Sequence, residues 1–238
     1  MTPTLPTLGN DKPTRRTWIN GKSFWTRQNP WDFLISARER RCSSSLWIDA
    51  LCIDQWNVDE RNHQVQQMSE VFSHAQRVFA WLGDDKHIIG FLVKVDHTRG
   101  LDTGHSPFYG APNWSRTWTT HGVALAQQVI LATGRQKLPL RLLALQSWNR
   151  RDRSLPGQTK LECSLVPTFK DCVTKASSFF FIRYKIKESH NLRNRVFSLL
   201  PLCGKGRDME VNYRLSRREL AGRVITSAQE RSASVPFA

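Results

Sequence analysis

Short apolar runs alternate with polar stretches along this chain, and the alternation is sharpest between Leu46 and Gly83. Leu46 to Ile53 is almost continuously apolar and short for a helix, which predicts a strand covered on both faces inside a parallel sheet. Asp49 interrupts the run, and a carboxylate there needs hydrogen bonds or a cation, because burying it unpaired is costly. Asp54, Gln55 and Asn57 follow as a polar loop, and Asn57 with Glu60 forms a capping-box pattern that opens a helix. Val65, Met68, Phe72 and Ala75 recur at helical spacing and predict one buried stripe. Asp59 and Glu60 at its start, and His74 and Arg77 at its end, suit the helix dipole. Val78 to Leu82 is the next apolar run, stopped by Gly83-Asp84-Asp85. The stretch is a βαβ unit. In open α/β sheets ligands bind beyond the carboxyl ends of strands, so Asp54, Gln55 and Asn57 are the first place to look for chemistry.

Upstream, Trp18 to Phe24 sets Asn20-Gly21 between apolar positions and predicts a tight hairpin. Asn29-Pro30 opens a helix expected to reach about Arg41 with Trp31, Leu34 and Ile35 facing inward. Residues 1–16, rich in Pro, Thr and charge, are expected to lack order. Downstream, residues 86–113 read as mainly loop with a short helix near Ile88 to Val95. Val123 to Ala132 reads as a helix stopped by Gly134. Arg193 to Leu200 predicts an amphipathic helix, Val211 to Tyr213 a short strand or turn, and Ser216 with Glu219 a second capping box for a helix to about Ala228. The expected division is a disordered 1–16, an α/β domain over 17–134, an insertion or linker over 135–190, and a mainly helical C-terminal part of the same domain over 191–238.

Composition narrows the function classes. At 238 residues with 39% hydrophobic positions and nine tryptophans, the chain can bury a substantial core. No apolar run is long enough for a membrane span, and the first residues lack the apolar centre of a signal peptide, so a cytoplasmic protein is expected. Five cysteines, at 42, 52, 163, 172 and 203, include no CxxC pair. They fit free thiols in a reducing compartment, with Cys52 read as a small hydrophobe on its strand. The seven histidines have no metal-binding spacing, and no metal site is expected. The net charge of +15 is spread along the chain without a nucleic-acid-binding signature. It predicts unspecific attraction to polyanions and no sequence-specific nucleic-acid binding.

WIDALCIDQ, ERNHQV and AQRVFAWLG resemble the signature of the heterokaryon incompatibility (HET) domain of filamentous fungi. INGKSF and RQNPWDFL are similar to the pattern before its central strand, and Arg116 and Trp118 to its third block. The resemblance extends from about Ile19 to Ala228. It implies an α/β domain related to the Toll and interleukin receptor (TIR) fold, a parallel sheet flanked by helices, acting in nonself recognition and regulated cell death through protein partners or self-association. The family's usual opening strand, with Tyr, Ser and Trp-Gly, has no counterpart before Thr17. A sheet lacking its first strand, in a truncated or degenerate member, is therefore expected. At 194 and 212 asparagines stand where the family usually has acids.

Two mechanisms remain open. As an adaptor the domain would work by association, with no cofactor. As an enzyme it would cleave NAD, which some TIR relatives do with a Glu four residues after a Trp; here the fourth residue after Trp118 is Gly122. The catalytic candidates are Asp54 and Glu60, since paired carboxylates can act as acid and base. Turn and cap duties explain the same residues. Asp49, Gln55, Asn57, Arg116 and Trp118 are the binding candidates.

Overall fold

The structure is a computed structural model that describes residues 2–5, 13–39, 45–98, 107–143, 191–202 and 209–233. The apolar runs become the strands of one sheet: β1 (Thr2–Leu5), β4 (Leu46–Ile48), β5 (Val78–Trp81), β6 (Val129–Thr133) and β7 (Gln136–Pro139). Their spatial order is β4-β1-β5-β6-β7. The first four are parallel, and β7 returns antiparallel to β6 through a turn at Gly134. A separate antiparallel hairpin joins β2 (Arg15–Ile19) to β3 (Lys22–Thr26). Its turn places Asn20 at φ 50° and Gly21 at φ 76°, the left-handed pair that an Asn-Gly hairpin needs.

Alternation along the strands divides the core between two faces. Ile48, Phe79, Trp81, Ile130 and Ala132 point to one side, where Phe33 of α1 (Gln28–Glu39) covers them. Trp47, Val78, Ala80, Val129 and Leu131 point to the other. There they meet α3 (Val58–His74), α4 (Lys86–His97) and α5 (Thr117–Leu125). The sheet is thus sandwiched between helices, with strand order winding outward from β1 in both directions.

The second face is completed from far along the chain. α6 (Arg193–Phe197) and the segment before α7 (Arg217–Ala233) pack Phe197, Val211 and Tyr213 into the same core. Gln66 and Asn62 of α3 accept the Val211 and Tyr213 backbone N–H groups at 2.7 and 2.9 Å. Asn194 accepts the Tyr213 hydroxyl, so the amide that replaces the family's usual acid has a structural use. Asn212 likewise accepts the Arg214 N–H at 2.9 Å.

Several expectations are corrected. An opening strand is present: β1 lies inside the sheet, paired with β4 on one side and β5 on the other, so the edges are β4 and β7, and Thr2–Leu5 and the pair Arg15 and Arg16 lie in strands where disorder was expected. The run 46–53 is a strand only to Ile48, after which α2 (Asp49–Cys52) takes over. Cys52 is consequently exposed and not a buried strand residue. In α1 the buried residues are Pro30 and Phe33, while Trp31, Leu34 and Ile35 are half-buried. Asp85 caps α4, which is longer than the short helix expected, by accepting from the N–H groups of His87 and Ile88. The run 123–132 divides, ending α5 at Leu125 and forming β6 from Val129. The Ser216–Glu219 box forms as expected, with reciprocal bonds of 2.7 and 3.2 Å. Of the stretch 135–190 expected to form an insertion or linker, Gln136–Pro139 is strand β7 of the sheet and residues 144–190 lie outside the described residues.

Candidate interaction site

The loop between α2 and α3 is braced almost entirely by its own side chains. Asp54 Oδ1 accepts from the N–H groups of Trp56 and Asn57 at 2.9 and 3.3 Å. Glu60 Oε1 accepts from the Asp54 N–H at 3.0 Å. Asn57 Oδ1 caps α3 by accepting from Asp59 and Glu60 N–H at 3.1 and 3.2 Å. The Gln55 amide donates to the carbonyls of Asp49 and Ile53, and the Arg61 guanidinium donates to the Gln55 carbonyl at 3.2 Å. Glu60 therefore reaches past the capping residue to Asp54, a wider brace than the simple box predicts. With its polar groups so engaged, the loop holds Trp56 out in solvent at 94% exposure.

Asp49 lies just below, as the first residue of α2. Its Oδ1 accepts from the Ala50 N–H at 2.7 Å. Burial pushes its carboxyl above the usual range, against the pull of Arg116 and then Arg27. Arg116, which precedes α5, is lowered by burial while Asp49 raises it again. Two of the sequence candidates, Asp49 and Arg116, are thus brought into one electrostatic group. Arg27, at the end of β3, joins them without having been singled out.

Trp118 belongs to the core, half-buried against it with its ring 5.5 Å from that of His121. His121 is fully enclosed, 5.5 Å from the Phe72 ring, and its Nε2 lies 3.4 Å from Ser69 Oγ. Burial alone pushes its imidazole down to about 3, so it is neutral at physiological pH. Gly122 is buried in the same helix. The position where the resemblance puts a carboxylate is therefore interior.

The sequence reading missed a buried polar stripe. Asn113, Thr117, Thr119, Thr120 and His121 are all buried, and Thr119 Oγ1 donates to Asn113 Oδ1 at 3.4 Å. Among the described residues, Thr117 Oγ1, Thr120 Oγ1 and His121 Nδ1 have no hydrogen-bond partner. The string Thr-Trp-Thr-Thr-His-Gly was the signal available, since so polar a helix start gives no apolar stripe. No group of His, Cys, Asp and Glu among the described residues is placed to hold a metal ion.

A helix-flanked sheet, parallel but for β7, with a self-braced loop beyond β4 defines the described part of the chain as an α/β domain. The chain belongs to the heterokaryon incompatibility family: residues 3–151 match the model described as Heterokaryon incompatibility protein (HET). It is 37% identical over 54 residues to "Heterokaryon incompatibility protein 6, OR allele" of Neurospora crassa. That stretch makes up 21% of this chain and 8% of the relative, so the chain spans a small part of the relative it matches. No solved structure matches the chain.

Proposed function

We propose that this chain acts in the cytoplasm in fungal nonself recognition and regulated cell death, and that it works by associating with a protein partner or a second copy of itself. The observation that carries this reading is Trp56, 94% exposed on a loop whose backbone is fixed by Asp54, Glu60 and Asn57. Tryptophans presented in this way are the side chains that most often dominate protein interfaces, and a rigid loop lowers the entropic cost of binding. Family membership supports the biological setting. The NAD-cleaving alternative draws less support, because Asp54 and Glu60 use their carboxylates on backbone N–H groups and Gly122 supplies no side chain.

Regulated expression in a filamentous fungus tests the reading. The unmodified chain should arrest growth, and Trp56→Ala should lose the effect while its thermal melt stays within about 0.5 kcal/mol, as expected for an exposed position. Unchanged killing by Trp56→Ala, or NAD hydrolysis by the purified chain, would overturn it.

A further inference from the structure

The β2–β3 hairpin carries apolar side chains on both of its faces. Residues directly opposite on paired strands share a face. The register sets Arg16 against Trp25 and Trp18 against Ser23 on one side. It sets Thr17 against Phe24 and Ile19 against Lys22 on the other. Trp18 and Trp25 are 64% and 58% exposed, and Ile19 and Phe24 are each 38% exposed. Among the described residues the hairpin is anchored at its base: Thr26 is buried, and Arg15 bonds to Gln28 and stacks 5.0 Å over Trp31 of α1. The Arg16 guanidinium lies 4.9 Å over the Trp18 ring.

Charge on the same element has one sign. Between Pro13 and Trp31 stand Arg15, Arg16, Lys22 and Arg27 and no acidic residue. A second copy of this hairpin would be repelled by the first. A protein partner or a stacked base would engage one face and leave the other exposed. A wedge that is apolar on both sides, with aliphatic Ile19 among the rings and cations around it, matches the interface of a bilayer. There tryptophan rings sit at headgroup level and basic side chains meet lipid phosphates.

We infer that the β2–β3 hairpin is a peripheral membrane-docking element that inserts its tip into the interface of an anionic lipid surface. The inference goes beyond the association reading and uses different residues. It requires no spanning segment, and none of the described helices is long and apolar enough to be one. Both attractions are used together: the rings partition into the interface, and the cations add a salt-sensitive attraction to anionic headgroups.

The test is co-sedimentation of the full chain with vesicles of phosphatidylcholine alone and of phosphatidylcholine with an equal part of phosphatidylserine. Binding should be confined to the phosphatidylserine vesicles, and Trp18→Ala with Trp25→Ala should weaken it roughly tenfold or more without altering the melt. A second variant, Ile19→Ser with Phe24→Ser, separates insertion from simple charge attraction and should also weaken binding. Equal binding by either variant would overturn the proposal, as would binding lost in moderate salt to the same extent for all proteins. A tryptophan-dependent shift of a single-stranded oligonucleotide, with vesicles unbound, would overturn it in favour of base stacking. Because Trp56 is untouched in these variants, failure here leaves the growth-arrest result to judge the association reading separately.

Discussion

His121 shows how one side chain ties this fold to pH. Its ring is buried neutral, held down to about 3 against an ordinary value of 6.5, so the unfolded chain takes up a proton there before the folded chain does. Stability should therefore be unaffected by this group above about pH 6.5 and fall progressively between there and about pH 3. The slope approaches about 1.4 kcal/mol per pH unit, or about 2 kcal/mol lost by pH 5. Asp49 works in the opposite sense: its raised carboxyl gains a proton in the folded state first, which offsets part of the loss at the acid end. Urea unfolding at pH 7 and pH 5 measures the difference, and His121→Phe should flatten it whatever its effect on absolute stability. Equal slopes for the two proteins would show that His121 is accessible to water. The histidine was visible in the sequence, but its role was not, because its burial against Ser69 joins residues 52 positions apart and that against Phe72 a similar span, while only Trp118 is local.

At the scale of elements, legibility followed locality. The α3 helix was readable because its cap, its charges and its apolar stripe all lie within its own residues. Replacing Asn57 by Ala should cost about 1 kcal/mol in chemical denaturation by leaving the N–H groups of Asp59 and Glu60 without their acceptor. A change below a few tenths would mean that water replaces the cap at no loss. The hairpin was readable for the same reason, since Asn-Gly determines its own turn. Strand β6 was not, because only Gln127-Gln128 part Val129 to Thr133 from the apolar end of α5, and periodicity cannot separate a short buried strand from a helix. Strand β4 failed in the other direction: Asp49-Ala50-Leu51 is as helix-compatible as it is strand-like, and the register with β1 covers only Leu46 to Ile48. Least legible was β1. Thr-Pro-Thr-Leu offers one large apolar residue, and Pro3 lacks the N–H that a central strand normally donates. Its place between β4 and β5 is determined by partners more than 40 residues away.

Those distant pairings gather the described elements around a shared core, and the C-terminal part is the clearest case. Tyr213 reaches back across the chain to α3: its ring lies 5.0 Å from Phe197 and 4.2 Å beneath the Arg61 guanidinium, and its hydroxyl meets Asn194. Burial raises its phenol above the ordinary value, so it stays a hydrogen-bond donor at any physiological pH. By contrast, Arg214 and Asp59 pair at 2.8 Å in full view of solvent and contribute little. Tyr213→Ala should therefore cost about 3 to 5 kcal/mol through the lost ring and the void it leaves. Tyr213→Phe should cost only about 1 kcal/mol, the net value of one hydrogen bond. If residues 191–233 were a separate unit docked on the sheet, Tyr213→Ala would split the melt into two transitions and leave the upper midpoint unchanged. Because Phe197, Val211 and Tyr213 share one core with Met68, Phe72 and Leu131, a single transition moved to lower temperature is expected, followed by calorimetry.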